Sequence, residues 1–450
     1  NGIIVNESEL WSKYPELKKK YNIDTEVIYS LFSYHLTNLN NSITAIRHTN
    51  SELFGTVSTG FMIADRNEFV VYTNNGSLYV LTNQKDIFIY ASEKNILNRL
   101  VNKNNKLTNN DLTIEQVSAN NGFIVSYNEF KIHGFDLAQD TELKLPENSN
   151  EIFDIKISNY HPHKHQLHAV LDSGKFTNSI QANSEKKLLE YNISSISKLK
   201  RCTKCILPET FPFIEFDKNG VCNICNNYVK KNQPKPIEEL KELVEPYRNK
   251  NGKPDRLVPL SGGRDSTYTL HIVKNILKMN PIAFTYDWGM VTDLARRNIA
   301  RVTGKMGVEN IIVSADIRSK RKNIRKNIVA WLKKPELGMI PLFMAGDKYF
   351  FYYTEKIKKQ NNVDLNFWGI NPLENTDFKV GFCNVPPCFN KKTIYSLSVK
   401  NQIRLFSYVG KNLLTNPSYI NGSMIDTFGS FLSRYLVKKG HYYHMFDYYR

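Results

Sequence analysis

Leu257-Val258-Pro259-Leu260 runs directly into Ser261-Gly262-Gly263-Arg264-Asp265-Ser266, and a helical pattern follows. This transition constrains the fold more than any other part of the chain. An apolar run of this length reads as a buried strand, and two adjacent glycines let the backbone reverse tightly into the helix. The same alternation continues around it. Helices are predicted over 237–248, 266–279, 291–306, 318–333 and 347–359, and strands over 256–260, 281–287, 310–314 and 363–369. A strand, helix, strand order of this kind predicts an α/β unit whose parallel sheet has helices on both faces. In such sheets the ligand site lies at the carboxyl ends of the strands, where Ser261 to Ser266 falls.

The chemistry of that loop suits an anion. Glycine lets backbone N–H groups approach a ligand closely, and the helix that follows presents its positive end. Ser261 and Ser266 can donate to phosphate oxygens, and Asp265 can hold Mg²⁺ beside them. The loop is not a Walker A loop, because no Gly-Lys-Ser/Thr closes it, and it is not G-x-G-x-x-G. A plain strand-to-helix turn capped by Asp265 or Ser266 is the simpler alternative. Its position after the first strand of a parallel sheet favours a nucleotide.

Six cysteines are present, none in the first 200 residues. Cys202, Cys205, Cys222 and Cys225 read C-x2-C-x16-C-x2-C, two knuckles around a turn at Phe216 to Gly220. Four thiolates at this spacing can close a tetrahedral zinc site without an open position for water, which makes the metal structural. Two disulfides are the alternative for a secreted chain. Cys383 and Cys388, around Pro386-Pro387, read as ordinary buried thiols. His161, His163, His165 and His168 read as a solvated strand, with metal ligation as the sharper alternative.

The 450 residues carry 60 Lys and Arg against 43 Asp and Glu, a formal charge of +17. This excess suits anionic partners such as nucleotides, nucleic acid or a membrane surface. No apolar run approaches the ~18 residues of a membrane span. With no basic, apolar leader in view, a cytoplasmic protein is expected. Residues 318–334 place Arg318, Lys320, Arg321, Lys322, Arg325, Lys326, Lys333 and Lys334 on a helix whose apolar face is Ile324, Ile328, Val329, Trp331 and Leu332. A solvated face or a clamp for an anionic substrate both fit it. Asp347 is a candidate for substrate or magnesium. Tyr442, Tyr443, Phe446, Tyr448 and Tyr449 read as aromatic packing.

SGGRDS is similar to the PP-loop signature SGGxDS of the ATP pyrophosphatases, which include asparagine synthetase, GMP synthetase and the tRNA thiolation enzymes. The resemblance implies a PP-loop, adenine-nucleotide α-hydrolase-like sheet over residues 237–450. It implies ATP cleavage to AMP and pyrophosphate, adenylation of a substrate oxygen, and displacement of AMP by nitrogen or sulfur. Ser261, Gly262, Gly263 and Ser266 would hold the pyrophosphate and Asp265 the Mg²⁺. The adenine would lie against Leu260 and Phe284-Thr285-Tyr286, and Lys379 would neutralise pyrophosphate.

The cysteine segment over 200–229, with Pro208, Thr210, Pro212, Ile214, Phe216, Asp217 and Gly220, resembles one subgroup, the N-acetyl sugar amidotransferases of bacterial surface polysaccharide (lipopolysaccharide, O-antigen) synthesis. Gly369-Ile-Asn371, Glu374 and Phe378-Lys379-Val-Gly381-Phe382 resemble its later segment. The resemblance implies zinc, ATP, an anionic or nucleotide-activated sugar, and ammonia from a glutaminase domain or subunit. A tRNA-modifying PP-loop enzyme is the alternative, with the +17 charge and Cys383 and Cys388 in its favour.

Residues 1–195 resemble the rear part of a class II, N-terminal nucleophile (Ntn-type) glutaminase, an α+β domain. Asn1-Gly2-Ile3-Ile4-Val5-Asn6 is similar to that family's oxyanion-hole segment, and Asp24-Thr25-Glu26-Val27-Ile28 to the helix start whose Asp binds the glutamine amine. Phe54-Gly55-Thr56 and Ala91-Ser92-Glu93 resemble its strands. Asn1 and the Gly2 N–H would supply the oxyanion donors. The family's N-terminal cysteine is absent, which implies that about 100 residues of the domain precede this sequence. A degenerate glutaminase is the alternative. As written, the chain is expected not to hydrolyse glutamine.

Overall fold

The computed structural model describes residues 2–104, 107, 112–138, 192–228, 234–249, 252–341, 349–371, 378–387, 389, 398–435 and 441–449. Asn1, the histidine cluster at 161–168, Asp347, Glu374 and Cys388 lie outside them.

The front unit is α+β. Its strands are β1 (Gly2–Ile4), β2 (Gly55–Ile63), β3 (Glu68–Thr73), β4 (Tyr79–Thr82), β5 (Phe88–Ala91), β6 (Thr113–Gln116), β7 (Asn121–Ser126) and β8 (Lys131–Asp136). They form two antiparallel sheets, β1-β2-β3-β7-β8 and β5-β4-β6. β2 with β3 and β4 with β5 pair as antiparallel hairpins. β3 and β4 do not pair, because the chain leaves the first sheet between them. There Gly76 adopts a φ of +81° and Asn75 binds Ser58 and Ser77, which turns the backbone out of the ladder. Helix Glu26–Leu39 begins two residues later than its sequence suggests and buries Val27, Ile28, Leu31 and Phe32 as expected. They pack with Ile43, Ile46, Val57 and Val70 in one core.

The rear unit is a five-stranded sheet in the order β11-β10-β9-β12-β13. Its strands are β9 (Arg256–Pro259), β10 (Pro281–Asp287), β11 (Asn310–Ser314), β12 (Leu365–Trp368) and β13 (His441–His444), and every pairing is parallel. The chain winds from β9 outward to β11, then returns to the other side of β9. The gap between β9 and β12 is therefore the topological switch point. Helices Arg264–His271 and Asp293–Met306 pack on one face through Leu270 and Ile299 with Val258, Leu260 and Phe367. Helix Phe350–Asn361 packs on the other through Ile357 with Leu257, Ile282 and Phe284.

Several boundaries differ from the sequence expectation. The helix after the glycine loop starts at Arg264, capped by Gly263 rather than by Asp265 or Ser266. It continues as a π-turn, Ile272–Ile276, closed by Leu277 N–H to Ile272 O at 2.8 Å, and stops where Lys278 turns left-handed at φ 51°. The next helix starts at Asp293 because the Thr292 hydroxyl accepts from Ala295 N–H. β13 was read only as aromatic packing, since four residues flanked by histidines carry no strand signal.

Helix Ile317–Lys333 departs most from its reading. Its buried positions are Lys320, Asn323, Ile324, Asn327 and Ala330, whereas Ile328 is exposed. Lys320 is paired with Asp426 at 2.7 Å, and Asn327 meets Ser423 and Asn421. The buried face of this helix is thus a polar seam to helix Ser423–Tyr435. Among the described residues no helix is long and apolar enough to cross a membrane.

The two units share an interface. Helix Asp293–Met306 lies against β1 and β2. Tyr79 Oη donates to Glu309 Oε2 at 2.8 Å, Gln116 Nε2 to the same oxygen at 3.0 Å, and Asn310 N–H to Ser77 Oγ at 3.1 Å.

Candidate functional site

The Ser261 to Ser266 loop leaves the carboxyl end of β9, the strand beside the switch point. Gly262 has φ +78°, and a Cβ there would come within 2.5 Å of the Ala295 carbonyl. A second glycine-specific approach comes from β12. A Cβ at Gly369 would meet Thr269 Oγ1 at 2.8 Å and the Asp265 carbonyl at 3.1 Å. The loop is therefore seated against helix Asp293–Met306, and the helix that follows it is held against the residue just past β12. Asn298 Nδ2 donates to Gly262 O at 3.3 Å and completes that seat.

Inside the loop the two serines meet, Oγ to Oγ, at 3.0 Å. Ser266 Oγ also accepts from Ser261 N–H at 3.2 Å, and Gly263 N–H points to Ser261 Oγ at 3.4 Å. The first bond of the helix runs from Thr267 N–H to Gly263 O, so the amides of Arg264 and Asp265 have no partner within it. The Asp265 carboxylate makes no bond with a described residue. Hydroxyls, amides and a carboxylate thus converge on one exposed mouth. That is a donor set fit for a polyphosphate and its divalent cation.

Leu260 and Tyr286 do not share a wall. Leu260 is buried in the core on the side of helix Arg264–His271, whereas Tyr286 packs on the opposite face. Tyr286 stacks on Tyr353 at 5.2 Å, and burial pushes its hydroxyl up beyond the ordinary tyrosine range. Lys379 lies in the short helix Phe378–Gly381, and its side chain is outside the described residues. Sequence reasoning missed Asp287. It ends β10, accepts from Gly289 N–H, and holds Arg296 at 2.8 Å one turn into the next helix. A strand-terminal acid followed nine residues later by an arginine was the available signal.

The four cysteines of the middle segment converge. Their Sγ atoms all lie within 4.8 Å of one another, with Cys202 to Cys225 at 3.9 Å and Cys205 to Cys222 at 3.6 Å. A tetrahedral ion with ~2.3 Å bonds to sulfur needs edges of ~3.8 Å, so the cluster fits zinc. Burial opposes the Cys202 thiolate, but N–H donors from Cys205, Cys222 and Lys204 overcome it and bring the thiol down to about 6. Cys225 is pushed up to about 12 by burial and by its thiol neighbours. Four such groups ionise together only around a cation. The segment touches the rear unit where a Cβ at Gly381 would meet Pro212 Cβ at 2.6 Å. Cys383 is a different case. It is buried, and burial pushes its thiol up to about 11, the opposite of an activated nucleophile.

In the front unit Asp24 meets the end of β1, two residues from Gly2. Ile4 N–H donates to Asp24 Oδ2 at 2.7 Å, which ties the loop before helix Glu26–Leu39 to β1. A Cβ at Gly2 would collide with the Thr56 carbonyl, so β1 approaches β2 too closely for any other residue. One oxygen of Asp24 is thereby used structurally.

No family model matches the chain. An uncharacterized protein of Methanocaldococcus jannaschii is 26% identical over 119 residues, 26% of this chain and 43% of that protein. The chain thus matches less than half the length of that relative. A glutamine phosphoribosylpyrophosphate amidotransferase from B. subtilis, complexed with ADP and GMP, covers 31% of this chain and 28% of its own at 18% identity, TM-score 0.25. An NH3-dependent NAD synthetase from Campylobacter jejuni covers 45% and 93% at 13% identity, TM-score 0.23. Likenesses at these scores carry no weight for function.

Proposed function

We propose that this chain is an ATP-dependent amidotransferase that moves ammonia onto an N-acetylated sugar, with a glutaminase-like front unit. One observation carries the reading: the Ser261 to Ser266 loop, with its paired serines and free amides, opens at the carboxyl end of β9 at the switch point. The loop amides and hydroxyls would bind the pyrophosphate portion of ATP, and Asp265 would hold Mg²⁺. The sugar's acetamido oxygen would attack the α-phosphorus and release pyrophosphate. Ammonia would then add to the acetamido carbon, the C–O bond would break, and AMP would carry the oxygen away, leaving an acetamidino group. Splitting the substitution in two gives each step a good leaving group.

The exposed Arg318, Lys322, Arg325 and Lys326 support an anionic or nucleotide-activated sugar. The approach of β1 and Asp24 supports a glutaminase ancestry for the front unit. The +17 charge and the cysteine segment also suit a tRNA-modifying enzyme. The buried Cys383 thiol weighs against a sulfur-transfer role for that residue. ATP–pyrophosphate exchange across a panel of nucleotide sugars, with ammonia as nitrogen donor, tests the reading. Exchange that depends on one sugar and disappears in Asp265→Ala supports it. Exchange that requires tRNA, or none with any sugar, overturns it.

A further inference from the structure

The two units enclose a second concave site at the end of the sheet opposite the Ser261 to Ser266 loop. It is a cleft of about 510 Å³ between the 75–76 and 116–119 segments of the front unit and the amino ends of β9 and β10. Its lining includes Arg248, Asp255, Lys274, Lys278 and Glu309.

The charges in this cleft do not cancel. Asp255 is consumed: Oδ1 accepts from Arg256 Nε at 2.6 Å and from Asn280 N–H at 3.0 Å, and Oδ2 from Asn249 N–H at 3.4 Å. Arg248 is consumed as well. Its guanidinium binds Lys278 O at 2.8 Å, Leu277 O at 3.0 Å and Glu245 at 3.0 Å. It thereby covers the helix-end carbonyls that would repel an anion. Lys274 and Lys278 remain. Neither ammonium makes a hydrogen bond or ion pair with a described residue, and Lys274 is half-buried, which lowers its affinity for a proton despite Asp255 nearby.

Glu309 supplies the third group. It is 5% exposed, and its Oε2 takes Tyr79 and Gln116 while Oε1 is buried with no partner. Burial, with Glu93 adding to it, pushes this carboxyl up to about 8 against the two donors. Burial thus favours the neutral form of this carboxyl and weakens it as a competing negative charge beside the lysines.

We propose that this cleft binds a small anion, a carboxylate or a phosphate, held by Lys274 and Lys278. Because both units contribute to the wall, the bound anion stabilises their docking. The inference does not depend on the ATP site and is tested apart from it.

Isothermal titration of the full chain at pH 7 with inorganic phosphate, glycerol 3-phosphate and citrate, each against sodium chloride of equal ionic strength, is the experiment. One-to-one saturable binding of at least one probe is expected, and the preferred probe separates phosphate from carboxylate ligands. Lys274→Gln weakens it at least tenfold, as does Lys278→Gln, an exposed change that leaves folding intact. Asp265→Ala leaves it unaltered. The inference is overturned if no probe exceeds chloride, if both lysine variants bind like wild type, or if Asp265→Ala abolishes binding, which would place the anion in the nucleotide loop.

Discussion

Gly304, in the last turn of helix Asp293–Met306, lies face to face with the carbonyl of Gly55 at the start of β2. No Cβ fits between them, so the two units dock through a backbone-to-backbone contact. Gly304→Ala is expected to overpack this contact at a cost of about 1–3 kcal/mol. Thermal unfolding followed together with limited proteolysis between the units would read it. A variant that melts and resists protease like wild type would show that the units do not dock here in solution.

Gly262→Ala combines a left-handed backbone with a collision against the Ala295 carbonyl of helix Asp293–Met306. Pyrophosphate exchange should fall at least a hundredfold, while circular dichroism stays close to wild type and stability drops by only about 1–3 kcal/mol. Retained exchange would mean that the loop does not hold phosphate in this conformation.

The interface carries a pH dependence whose sign follows from Glu309. Its pKa rises from the ordinary 4.5 to about 8 on folding, so the folded state keeps a proton that the unfolded state releases. Its contribution to stability is complete below pH 4.5 and is lost as pH rises toward about 8. Glu309→Gln keeps an acceptor for Tyr79 and removes the titration. Melting temperatures from pH 5 to 9 should converge with wild type at the acid end and favour the variant at the alkaline end. Parallel curves would refute the assignment.

Zinc analysis of the purified chain should give one ion per molecule. Cys222→Ser, at a fully buried ligand position, should lose it and lower the melting temperature by roughly 5 °C or more. A metal-free wild type with unchanged stability would dismiss the site.

Asp426→Ala removes the partner of a buried ammonium. Lys320 has a side chain 8% exposed and also lies 5.1 Å from the centre of the Tyr349 ring. Losing this ion pair should cost about 3 kcal/mol by chemical denaturation, whereas the double change Lys320→Met with Asp426→Ala should recover part of that. Equal losses in both would mean that the pair contributes packing only.

The sequence was most legible where one residue period decided the structure. β10 and β11 match their apolar runs to the residue, β10 as a buried strand and β11 as an edge strand that buries Ile311. The glycine loop was legible because its backbone needs no other residue type. Helix Ile317–Lys333 misled, since its buried positions Lys320, Asn323 and Asn327 are satisfied by distant partners that no local pattern reveals. The interdomain Glu309 escaped for the same reason. β13 escaped because its pairing with β12 is made across more than seventy residues of chain.

That last strand has a consequence for synthesis. β12 pairs with only two residues of β9 and with four of β13. The backbone of Lys235, just before the rear unit, also donates to Asp447 at 2.8 Å. During translation the front unit and the cysteine segment can close early, but one edge of the rear sheet stays unpaired until residues 441–447 emerge. For that interval the nascent chain exposes a strand edge open to foreign strands. A stalled or prematurely terminated product should therefore be a preferred client of chaperones that cover such edges.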